Sequence, residues 1–144
     1  MLDTLLSPYP VFTTIPVQWG DMDAFEHANN VVYLQWVESG RIDYFEKINL
    51  MDFSEGVGAI LGSTEIKYIF PVTYPDTLYI GTRTTEIGKD RFILETGIFS
   101  EKHKRIVAIN KAVIVTYDYS ALKKADVPEE VKAKILALEP ELKK

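Results

Sequence analysis

Five stretches of the chain carry the β-branched or alternating apolar pattern of strands, and one carries the period of an amphipathic helix. The predicted strands are Val11–Gly20, Ala59–Phe70, Thr77–Ile87, Arg91–Glu101 and Arg105–Tyr117. Pro16 indicates that the first strand lies at a sheet edge, since proline cannot donate to a sheet ladder. Short separators rich in turn residues join the last four strands, so we expect these strands to pair antiparallel.

The helical period runs from Asn30 to about Lys47, which corresponds to a helix about 27 Å long. Gly40 lies on its apolar side and predicts a close approach between helix and sheet, because glycine otherwise only weakens a helix. The apolar side carries Tyr33, Val37, Gly40, Tyr44 and Ile48, flanked by Leu34, Trp36 and Phe45, and the polar side carries Gln35, Ser39, Asp43 and Glu46.

The last predicted strand is apolar on both faces, with Ile106, Ala108, Ala112 and Ile114 on one and Val107, Ile109, Val113 and Val115 on the other. One helix covers only one face of a sheet. The second face either packs on another subunit or leaves much apolar surface exposed. Exposed patches of this kind usually mark an interface, so we expect an oligomer.

The order of elements predicts one α+β domain over residues 1–144, with a core at about 10–117. A short terminal helix is expected at about 128–139, because a proline followed by two acidic residues is typical of a helix start.

Composition removes several classes of function. The net charge of −5 argues against nucleic-acid binding, and the absence of cysteine removes disulfides and thiolate nucleophiles. The first residues lack the features of a signal peptide, and the apolar runs are shorter than the ~20 residues that span a membrane. We therefore expect a cytoplasmic protein without membrane contact.

Titratable and amide side chains are concentrated between the first strand and the helix, from Asp21 to Asn30. Aspartate and asparagine commonly cap helices and form turns, so each of them has an ordinary structural explanation. A calcium loop is excluded because Phe25, Glu26 and Val32 occupy positions that need a ligand, a glycine and a glutamate. Two scattered histidines do not make a zinc site, so no metal is predicted. Serine-type catalysis is not supported either, because the chain has no G-x-S-x-G motif.

A helix start preceded by a carboxylate has a specific chemical use. The unpaired backbone N–H groups of the first helical turn can hold a developing oxyanion. A nearby ionised carboxylate can attack an acyl carbon or deprotonate water. Together the two groups form a minimal apparatus for hydrolysing an activated acyl group.

The same segment resembles the hotdog-fold acyl-CoA thioesterases, specifically the 4-hydroxybenzoyl-CoA thioesterase family. The resemblance runs from about Pro10 to Tyr117 and includes a weaker turn motif at Pro71 and Asp76. Its most specific part is the signature G-D-x-D-x-x-x-H-x-N-N-x-x-Y, which falls here on Gly20, Asp21, Asp23, His27, Asn29, Asn30 and Tyr33.

The resemblance implies a role for five of these residues. Asp23 would be the catalytic nucleophile or general base, and the backbone N–H at about Asn30 would form the oxyanion hole. His27 and Asn29 would shape the loop and contact the thioester, and Tyr33 would line the acyl pocket.

The resemblance also implies the fold, the substrate and the assembly. The fold would be a five-stranded antiparallel sheet wrapped around one long central helix. The substrate would be an acyl-coenzyme A, hydrolysed to free acid and CoA without a separate cofactor. The family forms dimers that join two sheets edge to edge, often paired into tetramers, with sites between subunits.

Two further carboxylates stay open as alternatives. Many relatives have glycine immediately before the histidine, where this chain has Glu26, which places a second acid near the substrate. A sister branch of the fold uses a glutamate on the helix, and Glu38 is the candidate here. Because Arg41 follows within ion-pair reach, we prefer a structural role for Glu38.

Coenzyme A carries phosphates, which require cations. Two basic turns supply cations, one with Lys89 and Arg91 and the other with Lys102, Lys104 and Arg105, and Lys89 and Arg91 are the predicted phosphate contacts. Charged turns are often only solvated, so this prediction rests on charge alone.

Two other functions remain possible from the sequence. A hotdog dehydratase or hydratase would act on acyl thioesters through a histidine and an acid, although its usual motifs are absent. A non-catalytic acyl-CoA-binding protein would bind the thioester without turning it over.

Overall fold

The computed structural model describes residues 2–50 and 56–142 and contains three α-helices and six strands in these residues. The helices are α1 (Leu2–Leu6), α2 (Asn30–Lys47) and α3 (Glu129–Leu138), and a short 3₁₀ turn covers Trp19–Asp21. The strands are β1 (Val11–Pro16), β2 (Val57–Tyr68), β3 (Thr77–Ile87), β4 (Arg91–Ser100), β5 (Arg105–Asp118) and β6 (Lys123–Lys124).

The five long strands form one antiparallel sheet in the order β1–β3–β4–β5–β2, and β6 pairs with β5. The predicted antiparallel pairing of the strands is confirmed, as is the edge position of β1 that Pro16 indicated. The strand β2 forms the other edge, so two strands that are consecutive in sequence, β1 and β2, lie farthest apart in the sheet.

The helix α2 packs on one face of the sheet against β1, β3 and β4. Its bounds agree with the prediction, and so does most of its buried side, which comprises Tyr33, Trp36, Val37, Gly40, Tyr44, Phe45 and the following Ile48. Leu34 is the exception, because its side chain is 39% exposed. This arrangement of one long helix on a curled antiparallel sheet is the expected hotdog fold.

The close approach predicted at Gly40 is confirmed. A Cβ atom at this position would lie 2.7 Å from Ile80 Cγ2 and 2.9 Å from Thr82 Oγ1, both on β3. Ordinary carbon contacts are near 3.5–4.0 Å, so only glycine lets α2 pack at this distance.

The first strand is shorter than predicted and ends at Pro16 instead of Gly20. The chain turns into the 3₁₀ segment because Asp21 folds back on Gln18: Asp21 N–H donates to the Gln18 carbonyl at 3.0 Å, and Gln18 N–H donates to Asp21 Oδ2 at 2.8 Å. The helix α1 and the short strand β6 were not predicted.

The second apolar face of the sheet is partly covered by the chain's own N-terminal segment. Tyr9 is buried there and lies over Gly81 and Gly97, whose missing side chains make room for its ring. The Tyr9 hydroxyl donates to Glu95 Oε2 at 2.6 Å. Coverage is incomplete, since Ile60 on β2, which pairs with Val115 of this face, is 36% exposed.

In the part of the chain that the structure describes, every helix is too short or too polar to cross a membrane.

Candidate active site

A closed loop holds the acidic residues between β1 and α2. Asp23 N–H donates to the His27 carbonyl at 2.8 Å, and Glu26 N–H donates to the Asp23 carbonyl at 3.0 Å. Met22 and Ala28 form an antiparallel bridge at the base of the loop. These bonds turn the chain back on itself within five residues and fix the backbone of Asp23.

Glu26 occupies the left-handed region of backbone conformation, with φ of 67°. This region disfavours side chains by roughly 1–2 kcal/mol relative to glycine. The loop geometry therefore explains why glycine suits this position, and the glutamate here is accommodated at some cost in stability.

The Asp23 carboxylate is half-buried and only partly engaged. Its Oδ1 atom accepts a hydrogen bond from Phe25 N–H at 2.9 Å. Across residues 2–50 and 56–142, no donor pairs with Oδ2. One oxygen thus orients the group, and the other is available to a substrate or a water molecule.

The first turn of α2 has both capped and uncapped backbone N–H groups among the described residues. Asn29 caps the helix, since its Oδ1 atom accepts from Val31 N–H at 2.9 Å and its carbonyl accepts from Val32 N–H at 2.9 Å. Asn29 N–H in turn donates to the Asp21 carbonyl at 2.9 Å. Asn30 N–H has no acceptor among the described residues, so it is the donor available for an external oxygen.

Asp23 and Asn30 line the same open pocket of about 370 Å³. Its other walls come from His27, from Tyr33 on α2 and from the segment after β2. The full lining is Asp23, Phe25, His27, Ala28, Asn30, Tyr33, Tyr68, Ile69, Phe70 and Pro71. The structure therefore brings together four of the predicted site residues.

Asp23 also lines a second pocket of about 560 Å³. Trp19 and Tyr74 pack edge to face at its wall with ring centroids 5.7 Å apart, and Glu26 also lines it. Asp23 belongs to both linings and so lies where two open spaces meet. A substrate with two arms, as a thioester has, fits such a junction.

Tyr33 supports the pocket wall through its hydroxyl. This oxygen accepts from Val72 N–H at 3.1 Å, and the Val72 carbonyl accepts from Ala28 N–H at 2.9 Å. Burial raises the pKa of Tyr33, so the phenol stays neutral. Because Tyr33 is almost fully buried, it holds the 69–72 segment against the loop between β1 and α2 in addition to lining the pocket.

Three predicted residues lie elsewhere. Asn29 uses its side-chain oxygen to cap α2 and is not part of the lining of either pocket. Lys89 and Arg91 lie at the turn between β3 and β4, at the end of the sheet opposite Asp23. The ten residues of β4 separate the two ends by ~30 Å. Within one chain, these two cations are far from the candidate site.

Both of these cations are also paired. Lys89 Nζ lies 3.1 Å from both carboxylate oxygens of Asp126, and Arg91 Nε lies 2.8 Å from Asp90 Oδ1. Glu38, the other carboxylate that the sequence left open, is exposed on α2 and lines neither pocket.

The pocket wall formed by Tyr68, Ile69, Phe70 and Pro71 was missed from the sequence, although its aromatic residues were a usable signal. Two long-range contacts bring it to the site: Ile69 N–H and Phe70 N–H both donate to the Val107 carbonyl on β5. Such pairings between residues distant in sequence leave no local pattern.

In the described residues, no cluster of three or more His, Cys, Asp or Glu side chains could hold a metal ion.

Comparison with known proteins gives one family match and three similar proteins. The Thioesterase-like superfamily model matches residues 17–135. The long-chain acyl-CoA thioesterase FadM of Escherichia coli is 24% identical over 125 residues, which cover 85% of this chain and 95% of FadM. YsmA of Bacillus subtilis is 28% identical over 86 residues, which cover 60% of this chain and only 58% of YsmA. A Thermus thermophilus thioesterase, solved with coenzyme A and Zn, superposes with a TM-score of 0.84 at 27% identity, covering 94% of this chain and 98% of that one.

Proposed function

The chain belongs to the Thioesterase-like superfamily, and we propose that it hydrolyses the thioester bond of an acyl-coenzyme A to the free acid and coenzyme A. One observation carries the proposal: Asp23 and Asn30, whose backbone N–H has no acceptor among the described residues, line one pocket. The similarity to FadM and to the Thermus thioesterase supports acyl-CoA as the substrate class.

The Asn30 N–H acts on the carbonyl oxygen of the thioester. As the carbonyl carbon becomes tetrahedral, its oxygen gains negative charge, and a donor already aimed at it lowers the barrier. Removal of one such donor typically costs about 10²–10³ in kcat. The site contributes most when charge develops, which is the condition for raising kcat.

Asp23 Oδ2 supplies the attacking group in one of two ways. As a general base it takes a proton from water, whose oxygen bonds to the acyl carbon while the carbon–sulfur bond breaks and the thiolate leaves. As a nucleophile it bonds to the acyl carbon itself, expels the thiolate and forms an anhydride that water then hydrolyses. Both roles need the same orientation, which Phe25 N–H provides through Oδ1.

The remaining pocket residues bind the substrate in this proposal. His27 lines the pocket beside Asp23, and aromatic side chains form most of the other walls. These walls suit an apolar acyl group, aromatic or aliphatic. The narrower assignment to the 4-hydroxybenzoyl-CoA branch rests on the signature from Gly20 to Tyr33, and the cytoplasmic location rests on the sequence alone.

A homo-oligomer, either a dimer or a dimer of dimers, is part of the proposal. Phe25 and Trp19, which line the two pockets at Asp23, are 80% and 74% exposed. Large aromatic side chains this open are typical of surfaces that a partner covers. In the described residues β2 is an edge strand of the sheet, with Leu61 exposed, and this edge offers the place where a second sheet can join.

A panel of acyl-CoA thioesters, assayed for release of free thiol, tests the function. We expect steady thiol release from at least one aromatic or aliphatic acyl-CoA. An acyl-CoA-binding protein would bind members of the panel without releasing thiol. A hydratase would convert a 2-enoyl-CoA to its hydrated product and leave the thioester intact, so either outcome would contradict the proposal.

A further inference from the structure

Phe70 separates the candidate active site from a group of basic side chains. Its ring lines the Asp23 pocket. The Arg105 guanidinium carbon lies 4.5 Å from the ring centroid, and the His103 ring centroid lies 4.7 Å from it. A guanidinium held at a ring in this way keeps donors free for an anion.

Lys102, from the same turn, contacts a wall residue of the second pocket. Its Nζ atom donates to Thr73 Oγ1 at 3.0 Å, and Thr73 lines that pocket. The three side chains of Lys102, His103 and Arg105, here called the basic rim, therefore border both spaces that meet at Asp23.

The backbone of this turn is firmly held. Lys102 N–H donates to Asp76 Oδ1 at 2.9 Å, and His103 N–H donates to Ser100 Oγ at 3.0 Å. The Ser100 hydroxyl donates to Asp76 Oδ2. The Asp76 carboxylate therefore binds neutral donors, and these hydrogen bonds fix the backbone from which the rim side chains extend.

Charge pairing distinguishes the basic rim from the other basic turn. Lys89, Arg91 and Lys104 each form an ion pair, with Asp126, Asp90 and Glu101 respectively. Lys102 and Arg105 have no carboxylate within 4.0 Å in the part of the chain that the structure describes, and both are exposed. In a protein of net charge −5, these are the cations beside the site that are free to bind an anion.

We propose that the basic rim binds the phosphate groups of coenzyme A, a role that charge alone had assigned to Lys89 and Arg91. The inference rests on the proposed function, because it takes the thioester to lie at Asp23. In coenzyme A a pantetheine arm separates the sulfur from the phosphates. A phosphate site must therefore lie beyond the pocket that holds the thioester, which is where Phe70 and Thr73 place the rim.

Two matched substrates test this site: an acyl-CoA and the acyl-pantetheine with the same acyl group, which has no phosphate. For Arg105→Gln and Lys102→Gln we expect KM for the acyl-CoA to rise about tenfold each, the effect of losing one charged contact. We expect kcat to stay near the parent value, and both constants for the acyl-pantetheine to be unchanged. Arg105→Lys keeps the charge and should recover most of the affinity.

Lys134→Gln, which removes an exposed lysine on α3, is the matched control and should leave KM and kcat unchanged for both substrates. An equal rise in KM for both substrates would overturn the proposal, since the effect would then not involve phosphate. A rise for the acyl-CoA in Lys89→Gln but not in Lys102→Gln would place the phosphates at the opposite end of the sheet and would also overturn it.

Calorimetric binding of free coenzyme A separates this inference from the proposed function. The double variant Lys102→Gln/Arg105→Gln should lose affinity for coenzyme A relative to the parent, whether or not the parent hydrolyses any thioester. Unchanged affinity, in a variant that melts at the parent temperature, would contradict the basic rim. Absence of thiol release from both substrates in the parent would instead contradict the hydrolase.

Discussion

At the residue scale, the first turn of α2 divides two tasks between adjacent asparagines. Asn29 uses its side chain and carbonyl to cap the helix, whereas Asn30 lines the pocket and its backbone N–H has no acceptor in the part of the chain that the structure describes. In the proposed mechanism, the part of Asn30 that acts on the substrate is its backbone N–H and not its side-chain amide. A backbone N–H can be removed by substitution only where proline is tolerated, because proline alone lacks this group.

Asn30→Pro provides that test, because proline is favoured at the first helical position. Asn29 has φ −65° and ψ 141°, a conformation that accepts a following proline. We expect a normally folded variant with kcat lowered by about 10²–10³, the usual effect of losing one oxyanion donor. Asn30→Ala keeps the N–H and should retain near-parent turnover; equal activity of the two variants would contradict the oxyanion role.

The sequence predicted the residues whose roles depend on local chain geometry. Asp23, His27, Asn30 and Tyr33 fall within one strand-to-helix connection, and they line one pocket. The distance of Lys89 and Arg91 from Asp23 could not be predicted in this way, because it depends on which end of the sheet carries the turn between β3 and β4. Lys89 meets Asp126 only through the folding of the C-terminal segment, and no spacing rule announces that contact.

At the element scale, α2 was predictable because its period and its cap agree. Its apolar side repeats with the helical turn, and Asn29 stands directly before it. The 3₁₀ turn after β1 was not predictable, since it depends on the side chain of Asp21 competing for the backbone of Gln18. Residues 17–20 have the composition of a strand, but the hydrogen bond between Gln18 and Asp21 forms a 3₁₀ turn there instead.

Gly40→Ala tests the close packing of α2 on β3. The added methyl group would meet Ile80 Cγ2 and Thr82 Oγ1 at less than 3.0 Å. Alanine favours helices, so an exposed site would gain stability, but overpacking here should lower the free energy of unfolding by about 1–3 kcal/mol. Chemical denaturation measures this free energy. A value for Gly40→Ala equal to or greater than that of the parent would show that the helix is not this close to the sheet.

A buried acid joins the C-terminal segment to α2. Glu139 is almost fully buried, and its Oε2 atom accepts from the Tyr44 hydroxyl and from Thr84 N–H, both at 2.8 Å. Burial raises the pKa of Glu139, while the hydrogen bonds from Thr84 and Tyr44 and the nearby charge of Arg83 oppose that rise. The folded state therefore holds the proton more tightly than the unfolded state.

This contribution to stability is complete below the unfolded pKa, near 4.5, and is lost as pH rises through the higher folded value. Glu139→Gln keeps an acceptor for both donors and cannot ionise. We expect its melting temperature to gain on that of the parent as pH is raised from about 4 to 8. Melting curves whose difference does not change with pH would show that Glu139 ionises as readily in the folded protein as in the unfolded chain.

At the scale of the whole molecule, the two faces of the sheet are covered by different parts of the chain. The helix α2 covers one face, and Tyr9 covers the centre of the other over Gly81 and Gly97. The doubly apolar character of β5 predicted that its outer face would be covered. It could not show that the N-terminal segment supplies part of that cover, because Tyr9 is far from β5 in sequence.

An oligomer is still predicted for the edge of β2 and the open pockets. We expect light scattering at micromolar concentration to report about twice or four times the 16.4 kDa of one chain. A single species at 16.4 kDa would contradict the oligomer and the completion of the pockets by a partner.

The central claim is that the Asp23 carboxylate drives thioester hydrolysis, and the kcat of Asp23→Asn for thiol release tests it most directly. Asparagine has nearly the same shape and can still accept from Phe25 N–H, so the loop should keep its form while the base or nucleophile is lost. We expect kcat to fall by about 10² or more with little change in KM, and Glu26→Gln and Glu38→Gln to remain active. Near-parent thiol release by Asp23→Asn, with loss of activity in Glu26→Gln or Glu38→Gln, would contradict the account and move the chemistry to those carboxylates.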